Sequence, residues 1–218
     1  MKKKIISIII CIVILTAITL TIVFTAMSCD RDYDEATVKA AAEDLIEKSG
    51  LLNEIFWGDG LQYYDDKSYS DGDYHAAIEA YHYRMGFETI SELKAMTAEV
   101  FSEDFTNQIS STIFSEIYDG EEIVHTSRYY QKYSAADGVT PEMIMVNTKW
   151  KQPLNGDVVY DYSSLTVTHS EGDVVYVTIN ATVTLDDLPP KTKTLEIGLI
   201  EEESGWRLHT PTYLNYNN

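Results

Sequence analysis

Residues 158–185 have the sequence VVYDYSSLTVTHSEGDVVYVTINATVTL, in which apolar and polar positions largely alternate. A period of two is typical of β-strands with one face buried. Glu171-Gly172-Asp173 divides the stretch and has the composition of a tight turn. The sequence therefore predicts two strands, at 158–169 and 174–185, joined as an antiparallel hairpin.

The rest of the C-terminal half continues this pattern. Further strand-like stretches, separated by short turn sequences, lie at 123–133, 143–150, 192–201 and 206–214. Connections this short favour antiparallel neighbours, because a parallel crossover needs a dozen or more residues. The sequence therefore predicts an antiparallel sheet of about five to six strands.

The half that precedes these strands has helical periodicity instead. Apolar residues from 38 to 56 recur at spacings of three and four, with Gly50 as a candidate break. Trp57-Gly58-Asp59-Gly60 then ends this helix, because two glycines in four positions favour a turn. Helices followed by strands predict an α+β domain, with N-terminal helices packed on one face of a curved antiparallel sheet.

Further segments lie between this first helix and the strands. Residues 61–72 have the composition of an acidic loop, and residues 73–84 are expected to form a short helix. Thr89 and Glu92 have the spacing of a capping box, which predicts the start of another helix. A last helix is expected over 102–117, with Ser102 at its start.

The N-terminus is basic and then hydrophobic. Three lysines at positions 2–4 precede residues 5–27, which contain no charge and are long enough to span a bilayer. Small residues precede Cys29, and this sequence resembles the lipobox of bacterial lipoproteins, which implies lipidation of Cys29 after cleavage. The alternative is an uncleaved transmembrane helix with the lysines in the cytoplasm. Both interpretations place the folded part on the extracytoplasmic face of the cell membrane.

The chain is therefore expected to have three parts. Residues 1–28 form a signal or membrane segment, residues 29–37 a tether, and residues 38–218 a single extracytoplasmic α+β domain. The two cysteines are Cys11 and Cys29, and neither lies in that domain. The domain consequently has no disulfide, no thiol nucleophile and no thiolate metal site.

The composition is strongly acidic. Lys and Arg number 16 against 35 Asp and Glu, which gives a formal net charge of -19. Nucleic-acid binding needs clustered cations, so the composition excludes that class of protein. Residues 30–122 contain 23 acids and 6 bases, whereas residues 123–218 contain 12 acids and 7 bases. Most of the excess charge lies in the helical half, so the expected partner is a cationic extracytoplasmic protein.

Residues 57–86 combine seven Tyr and Trp with five Asp. Aromatic side chains give a large contact area at low entropic cost, and carboxylates attract a cationic partner, so this composition suits an interaction surface. The alternative is a solvated loop whose tyrosines lie over the core. The predicted partner-binding residues are Trp57, Asp59, Tyr64, Asp65, Asp66, Asp71 and Asp73.

Metal binding has weaker support. A calcium loop needs acids at alternate positions, but Lys67 and Tyr69 occupy positions where acids would help. His75, Glu79 and His82 would share one face of the expected helix and could bind a divalent ion, or simply form its polar face. The sequence therefore predicts neither a metal site nor a cofactor.

Catalysis also has weak support. His125, His169 and His209 lie on predicted strands and could form acid–base pairs beside Asp161, although ordinary histidines are the alternative. The sequence contains no Gly-x-Ser-x-Gly elbow, P-loop or dinucleotide fingerprint. We therefore expect no enzymatic activity and assign no catalytic residue.

The order of elements, ending in Gly205-Trp206-Arg207-Leu208, resembles the nuclear-transport-factor-two-like cone fold. A narrower resemblance is to the cell-wall DL-endopeptidase inhibitor family of Gram-positive bacteria, through segments 81–94, 100–105 and 128–130 and the strand with Trp206. That resemblance implies an acidic protein, without catalysis of its own, that blocks peptidases cutting peptidoglycan stem peptides. Two alternatives remain: a lipoprotein that binds a small ligand inside the cone, and an enzyme at the same place.

Overall fold

The domain consists of helices followed by antiparallel strands, which confirms the predicted α+β class. A computed structural model describes residues 33–114, 116–119, 122–132, 143–150, 156–185 and 188–216. The expected membrane segment and Cys29 lie outside these ranges. In the part of the chain that is described, no helix has the length and apolar character needed to cross a membrane.

The described elements are four α-helices, one short 3-10 helix and ten strands. The helices are α1 (Glu35–Trp57), the 3-10 helix (Lys67–Tyr69), α2 (Glu79–Arg84), α3 (Ile90–Val100) and α4 (Glu103–Ile113). The strands are β1 (Ser70–Asp71), β2 (Tyr74–Ala76), β3 (Glu116–Asp119), β4 (Glu122–His125), β5 (Tyr129–Lys132), β6 (Met143–Asn147), β7 (Asp157–Glu171), β8 (Val174–Thr184), β9 (Lys191–Glu202) and β10 (Gly205–Leu208).

Helix α1 contacts strands β7 and β10. These belong to the four-stranded sheet with the longer strands, which we call the larger sheet. The Asp34 carboxylate accepts a hydrogen bond from the Thr37 backbone N–H (3.0 Å) and caps the helix N-terminus. Gly50 lies on the exposed side, and the helix continues through it, so the candidate break there is wrong. Burial of apolar side chains before and after Gly50 outweighs the cost of about 1 kcal/mol for a helical glycine. The buried apolar residues of this face are Val38, Ala42, Leu45, Ile46, Leu52, Ile55 and Phe56.

The larger sheet has the strand order β10-β9-β8-β7, with every neighbouring pair antiparallel. The strands predicted at 158–169 and 174–185 are confirmed as β7 and β8. Along β8, strictly alternate side chains are buried, which is the expected pattern for a sheet with one covered face. The buried positions are Val175, Val177, Ile179, Ala181 and Val183, and the first three of them belong to the same core cluster as the buried face of α1.

Strands β1, β2, β5 and β6 form a second four-stranded sheet, with the order β1-β2-β6-β5. One face of this sheet, including Tyr129, Ile144 and Val146, belongs to the main core. The opposite face buries a separate cluster of Tyr74, Ala76, Tyr130 and Met145. The expectation of one curved sheet with five to six strands is therefore not confirmed, because the strands are divided between two sheets of four and a two-stranded sheet of β3 and β4.

Two expectations for the middle of the chain are wrong. Residues 73–84 were expected to be helical throughout, but Tyr74–Ala76 pairs with β6, and only Glu79–Arg84 is helical. Pairing with a neighbouring strand here overrides local helical periodicity. The helix expected over 102–117 ends at Ile113, and Glu116–Asp119 instead pairs with β4. Ile and Tyr beside an Asp-Gly sequence favour a hairpin at this position.

Candidate interaction surface

Two buried residues hold the segment that leads from α1 into the acidic loop: Tyr129 on β5 and Arg128 directly before it. Arg128 donates hydrogen bonds from Nη1 to the Phe56 carbonyl (2.9 Å) and from Nη2 to the Gly58 carbonyl (2.7 Å). The Tyr129 hydroxyl donates to the Ile55 carbonyl (2.7 Å), and burial raises the pKa of this hydroxyl, which keeps it protonated. The last carbonyls of a helix lack partners within it. These contacts therefore make the start of the loop rigid.

Gly60 allows the chain to pass beside these two side chains. Its φ of 77° lies in the left-handed region that glycine adopts without strain. A Cβ at this position would collide with the Arg128 guanidinium and lie 2.5 Å from the Tyr129 hydroxyl. The next residue, Leu61, donates its backbone N–H to that hydroxyl (3.2 Å). The predicted turn at the end of the helix is thus part of a packed junction.

Three tyrosines of the following segment are exposed, and we call Tyr63, Tyr64 and Tyr69 the tyrosine surface. Their exposed fractions are 39%, 39% and 46%. The Tyr64 and Tyr69 rings stack with centroids 4.8 Å apart, and the Tyr63 ring meets the His75 ring edge-on at 5.4 Å. Of these three, only Tyr64 was among the predicted partner-binding residues. The density of tyrosines in the sequence was the available signal for the other two.

Asp65 and Asp66 lie between the tyrosines of this surface. The Asp66 carboxylate accepts hydrogen bonds from the backbone N–H and the hydroxyl of Ser68, both at 2.9 Å, and caps the 3-10 helix. These hydrogen bonds lower the pKa of Asp66, and the one from the Ser68 backbone N–H has the largest effect. Asp65 is exposed. The predicted juxtaposition of carboxylates with an exposed aromatic ring is therefore present at Tyr64, Asp65 and Asp66.

The other predicted carboxylates have different surroundings. Asp71 accepts hydrogen bonds from the Tyr130 hydroxyl (3.1 Å) and Lys132 Nζ (3.0 Å). Asp73 forms an ion pair with Lys149 (2.7 Å). The Asp59 backbone N–H donates to Glu54 Oε1 (2.8 Å) at the end of α1. Lysines thus partly neutralise Asp71 and Asp73, which makes them weaker attractors for a cation than their number suggests.

Trp57 is separated from the tyrosine surface by its packing. It is half-buried against the main core, and its ring lies 5.4 Å from the ring of Tyr213. Trp57 is the last residue of α1, so its side chain follows the helix rather than the loop. Its contacts are those of a residue that joins the helix end to the C-terminal segment.

The histidines do not assemble into the constellations that their spacing suggested. His75 lies on β2, where its Nδ1 is 2.7 Å from the Tyr64 carbonyl, whereas His82 is buried on α2. His75 therefore does not share a helix face with Glu79 and His82, because the strand β2 interrupts the expected helix. Among the described residues, no group of three or more His, Cys, Asp or Glu could hold a metal ion.

The three histidines considered for catalysis are also in separate surroundings. His169 stacks on Tyr176 with ring centroids 4.6 Å apart, and His209 Nδ1 lies 3.0 Å from the Ser102 hydroxyl. The side chain of His125 lies outside the described set. Asp161 accepts two hydrogen bonds from Ser163 within one local turn. The described contacts therefore give no acid–base pair between Asp161 and a histidine.

A cleft of about 470 Å³ lies between α2, the start of α3 and β6. We call it the α2–β6 cleft. Its lining includes the apolar residues Ala77, Met143 and Ile144 and the polar residues Glu79, His82 and Glu88. Local sequence contains no direct signal for this cleft, because the cleft depends on the pairing of β2 with β6.

Neither a family model, nor a curated protein, nor a solved structure matches the chain. The tyrosine surface, the α2–β6 cleft and the charge of the chain are therefore the features that bear on its function.

Proposed function

We propose that this chain is a membrane-tethered extracytoplasmic protein that binds and inhibits a cell-wall hydrolase of the DL-endopeptidase type, without catalysis of its own. The observation that supports the proposal best is the tyrosine surface with Asp65 and Asp66 beside it. The N-terminal segment, with Lys2 to Lys4 at its start and Cys29 after it, supplies the anchor. The anchor is either a lipid at Cys29 or one N-terminal transmembrane helix.

The tyrosine surface is suited to binding because it is ordered before a partner arrives. Tyr64 stacks on Tyr69, and its backbone N–H donates to the Ala76 carbonyl (3.0 Å). The Ile78 backbone N–H donates to the Gln62 carbonyl (2.9 Å), which ties the segment to the chain after β2. Ordering side chains on binding costs about 0.5–1.5 kcal/mol each, so rings that are already fixed lose less.

Charge supports a cationic protein as the partner. The helical half of the sequence contains 23 acids against 6 bases. On a surface that faces away from the membrane, such a field accelerates association with a basic protein and opposes association with an acidic one. The tyrosines would then supply contact area, while Asp65 and Asp66 supply attraction and orientation.

A peptidoglycan peptidase is the proposed target because the sequence resembles the cell-wall DL-endopeptidase inhibitor family. Several residues that support the resemblance are structural here: Arg128 and Tyr129 are buried at the end of α1, and Trp206 is half-buried against Tyr33. The resemblance therefore bears on the scaffold, and the tyrosine surface is where this chain would contact its own target.

The second candidate is a lipoprotein that binds a small ligand, or an enzyme, inside a cone-like sheet. That function needs open space between α1 and the larger sheet. The described side chains in that space, among them Ile46, Val177, Ile179 and Ile197, are fully buried in one cluster. Filled packing of this kind supports a surface function over an interior pocket.

The test uses the full chain in non-ionic detergent micelles, with binding and inhibition of DL-endopeptidases measured on peptidoglycan peptides. We expect saturable inhibition, and we expect Tyr64→Ala with Tyr69→Ala to weaken binding at least about tenfold, as central aromatic residues do at interfaces. Tyr83→Ala is the matched control, because Tyr83 is 66% exposed but lies on α2.

Two results would contradict the proposal. The first is undiminished peptide cleavage at saturating concentrations of the chain. The second is equal affinity of the double variant and the Tyr83→Ala control. Asp65→Lys separates the role of charge from that of the rings: a slower association rate with a weaker dependence on salt would show that the carboxylate attracts the partner.

A further inference from the structure

Strand β7 is an edge of the larger sheet. Among the described strands it pairs only with β8, so no strand lies along its other side. From the pair Asp157–Thr184 to the pair Asp161–Asn180 the register is regular. In an edge strand, alternate residues direct their backbone N–H and C=O groups away from the sheet. The start of β7 is therefore a regular template to which a further strand can pair.

Helix α1 lies beside this edge. Burial and, after it, the charges of Glu47 and Glu43 raise the pKa of the Tyr162 hydroxyl, so both carboxylates lie near that part of β7. Further along the helix, Gly50 lines a cavity of about 180 Å³ together with Asp157. The helix and the strand therefore run side by side in opposite directions. We call the space between them, from Gly50 and Asp157 to Glu43 and Tyr162, the α1–β7 groove.

The two walls of this groove have matching lengths. Glu43, Glu47, Gly50 and Glu54 are spaced by three or four residues, so they form one exposed stripe along α1. From residue 43 to residue 54 a helix rises about 16 Å, and from residue 157 to residue 162 a strand also rises about 16 Å. An extended segment of about five residues therefore fits along the groove.

The walls are acidic. Among the described residues, no lysine or arginine forms an ion pair with Glu43 or Glu47, and none lines the cavity beside Glu54 and Asp157. The two lysines of α1 form other ion pairs: Lys39–Glu35 and Lys48–Asp44. A second copy of the chain would bring a further acidic edge, so charge complementarity favours a basic segment as the occupant.

The opposite face of the edge is apolar at one position. Val158 and Tyr160 line the cavity, so Val159 between them points to the other face of the sheet, where it is 66% exposed. Side chains of an added strand alternate in the same way. One set would meet the glutamates of α1, and the other set would lie beside Val159.

We propose that the α1–β7 groove binds an extended segment of another protein, in which basic and apolar residues alternate, by adding this segment to β7 as a further strand. Backbone hydrogen bonds supply affinity, and the side-chain contacts with Glu43, Glu47 and Val159 supply specificity. The groove shares no residue with the tyrosine surface, so this binding is independent of the proposed inhibition.

The test titrates the full chain in non-ionic micelles with a fluorescent peptide of about seven residues that alternates lysine and valine. One matched peptide has glutamate in place of lysine. Another keeps the lysines but has N-methyl groups on its backbone amides, which removes the donors. We expect saturable binding of the basic peptide and at least about tenfold weaker binding of both matched peptides. Equal affinity of either matched peptide would overturn the proposal.

Amide hydrogen exchange then locates the peptide. We expect alternate amides within residues 157–161 to exchange at least about tenfold more slowly when the basic peptide is bound, because they gain acceptors. Unchanged exchange at these amides would overturn the proposal. Protection that rises with the concentration of the chain alone would also overturn it, because the occupant would then be a second copy.

Gly50→Arg places a bulky cation in the groove. A Cβ at Gly50 meets no atom within 4 Å, and arginine is a better helix former than glycine, so the fold is expected to persist. Leu51→Arg is the control, because it adds the same charge at the next exposed position of α1, outside the cavity lining. We expect at least about tenfold weaker peptide binding by Gly50→Arg and a smaller change in the control. Equal losses in both variants would overturn the proposal, since they would indicate general attraction to an acidic protein.

Discussion

Arg128 is a buried cation placed at the C-terminal end of a helix. Its two hydrogen bonds to carbonyls of the helix end are charge-assisted, and its guanidinium carbon lies 5.5 Å from the Tyr129 ring centre. A helix C-terminus has partial negative charge, which favours a cation. Hydrogen bonds from charged groups contribute about 1.5–3 kcal/mol each, which opposes the cost of burying a guanidinium whose Nε has no hydrogen-bond partner among the described residues.

Gly60→Ala tests this junction. We expect a loss of about 2–4 kcal/mol in the free energy of unfolding, because the new methyl group combines left-handed strain with displacement of the Arg128 guanidinium. The measurement is urea unfolding of the full chain, followed by circular dichroism. Gly72→Ala is the control: its φ is 59°, but a Cβ there meets no atom within 4 Å. Equal losses in both variants would mean that Arg128 and Tyr129 move aside at little cost.

Residues that interact locally were the ones that could be predicted. The capping box of Thr89 and Glu92 is present as its three-residue spacing indicated, with Thr89 accepting from Glu92 N–H and Glu92 accepting from Thr89 N–H. The bonds of Arg128 to the end of α1 join residues 70 and 72 positions apart. No spacing rule relates such positions, so the sequence predicted the turn but not the residue that secures it.

At the scale of elements, the prediction failed where one segment fits two structures. Tyr74-His75-Ala76 continues an apolar pattern compatible with a helix, but β2 obtains backbone partners from β6 and a buried cluster for Tyr74 and Ala76. Those gains depend on residues more than 50 positions away and are absent from local sequence. By contrast, β7, β8 and β9 were predicted well, because short turns and largely alternating apolar and polar residues are local signals.

The same capping box makes the stability of α3 dependent on pH. Backbone hydrogen bonds, from Glu88 first and Thr89 second, lower the pKa of Glu92 below its usual value of 4.5. Because the pKa of Glu92 is lower in the folded state, the stabilisation by its carboxylate is complete above about pH 4.5. It is lost as the pH falls through the pKa of the folded state. We expect Glu92→Gln to be less stable than the natural chain at neutral pH, with the difference shrinking near pH 3.

The measurement is urea unfolding at a series of pH values. Glu99→Gln removes a carboxylate from the same helix without touching the box, and it serves as the control. A Glu92→Gln difference that stays constant down to about pH 3 would contradict the expected linkage.

The molecule has a large net charge, and its described residues form few ion pairs that would compensate it. The described part contains four ion pairs between side chains, all substantially exposed: Lys39–Glu35, Lys48–Asp44, Lys132–Asp71 and Lys149–Asp73. Exposed pairs contribute about 0–1 kcal/mol each. Repulsion among the excess acids of a chain with net charge -19 therefore dominates its response to salt.

We expect the urea midpoint of the full chain to rise between about 10 mM and about 500 mM NaCl, because the ions screen that repulsion. Chemical unfolding at each salt concentration measures the change. Potassium chloride is the control that separates general screening from a specific effect of sodium. A falling midpoint would show that the four ion pairs outweigh the repulsion.

The candidate site could be predicted only in part, because the exposure of its residues depends on the fold of the whole molecule. The tyrosines and aspartates of the acidic loop were visible in the composition. Which of them face solvent depends on the whole fold: Trp57 packs with Tyr213, Asp71 with Lys132, and Asp73 with Lys149. These partners come from the other half of the chain, so charge counting overestimated the number of carboxylates available to a partner.

The junction at the end of α1 also sets an order of events during synthesis. Its carbonyls bind side chains that lie 70 to 74 residues later. Because a chain is made from its N-terminus to its C-terminus, α1 emerges well before Arg128 and Tyr129. Until then those carbonyls bind water, and the acidic loop has no fixed starting point. The tyrosine surface can consequently mature only after more than half of the polypeptide has been synthesised.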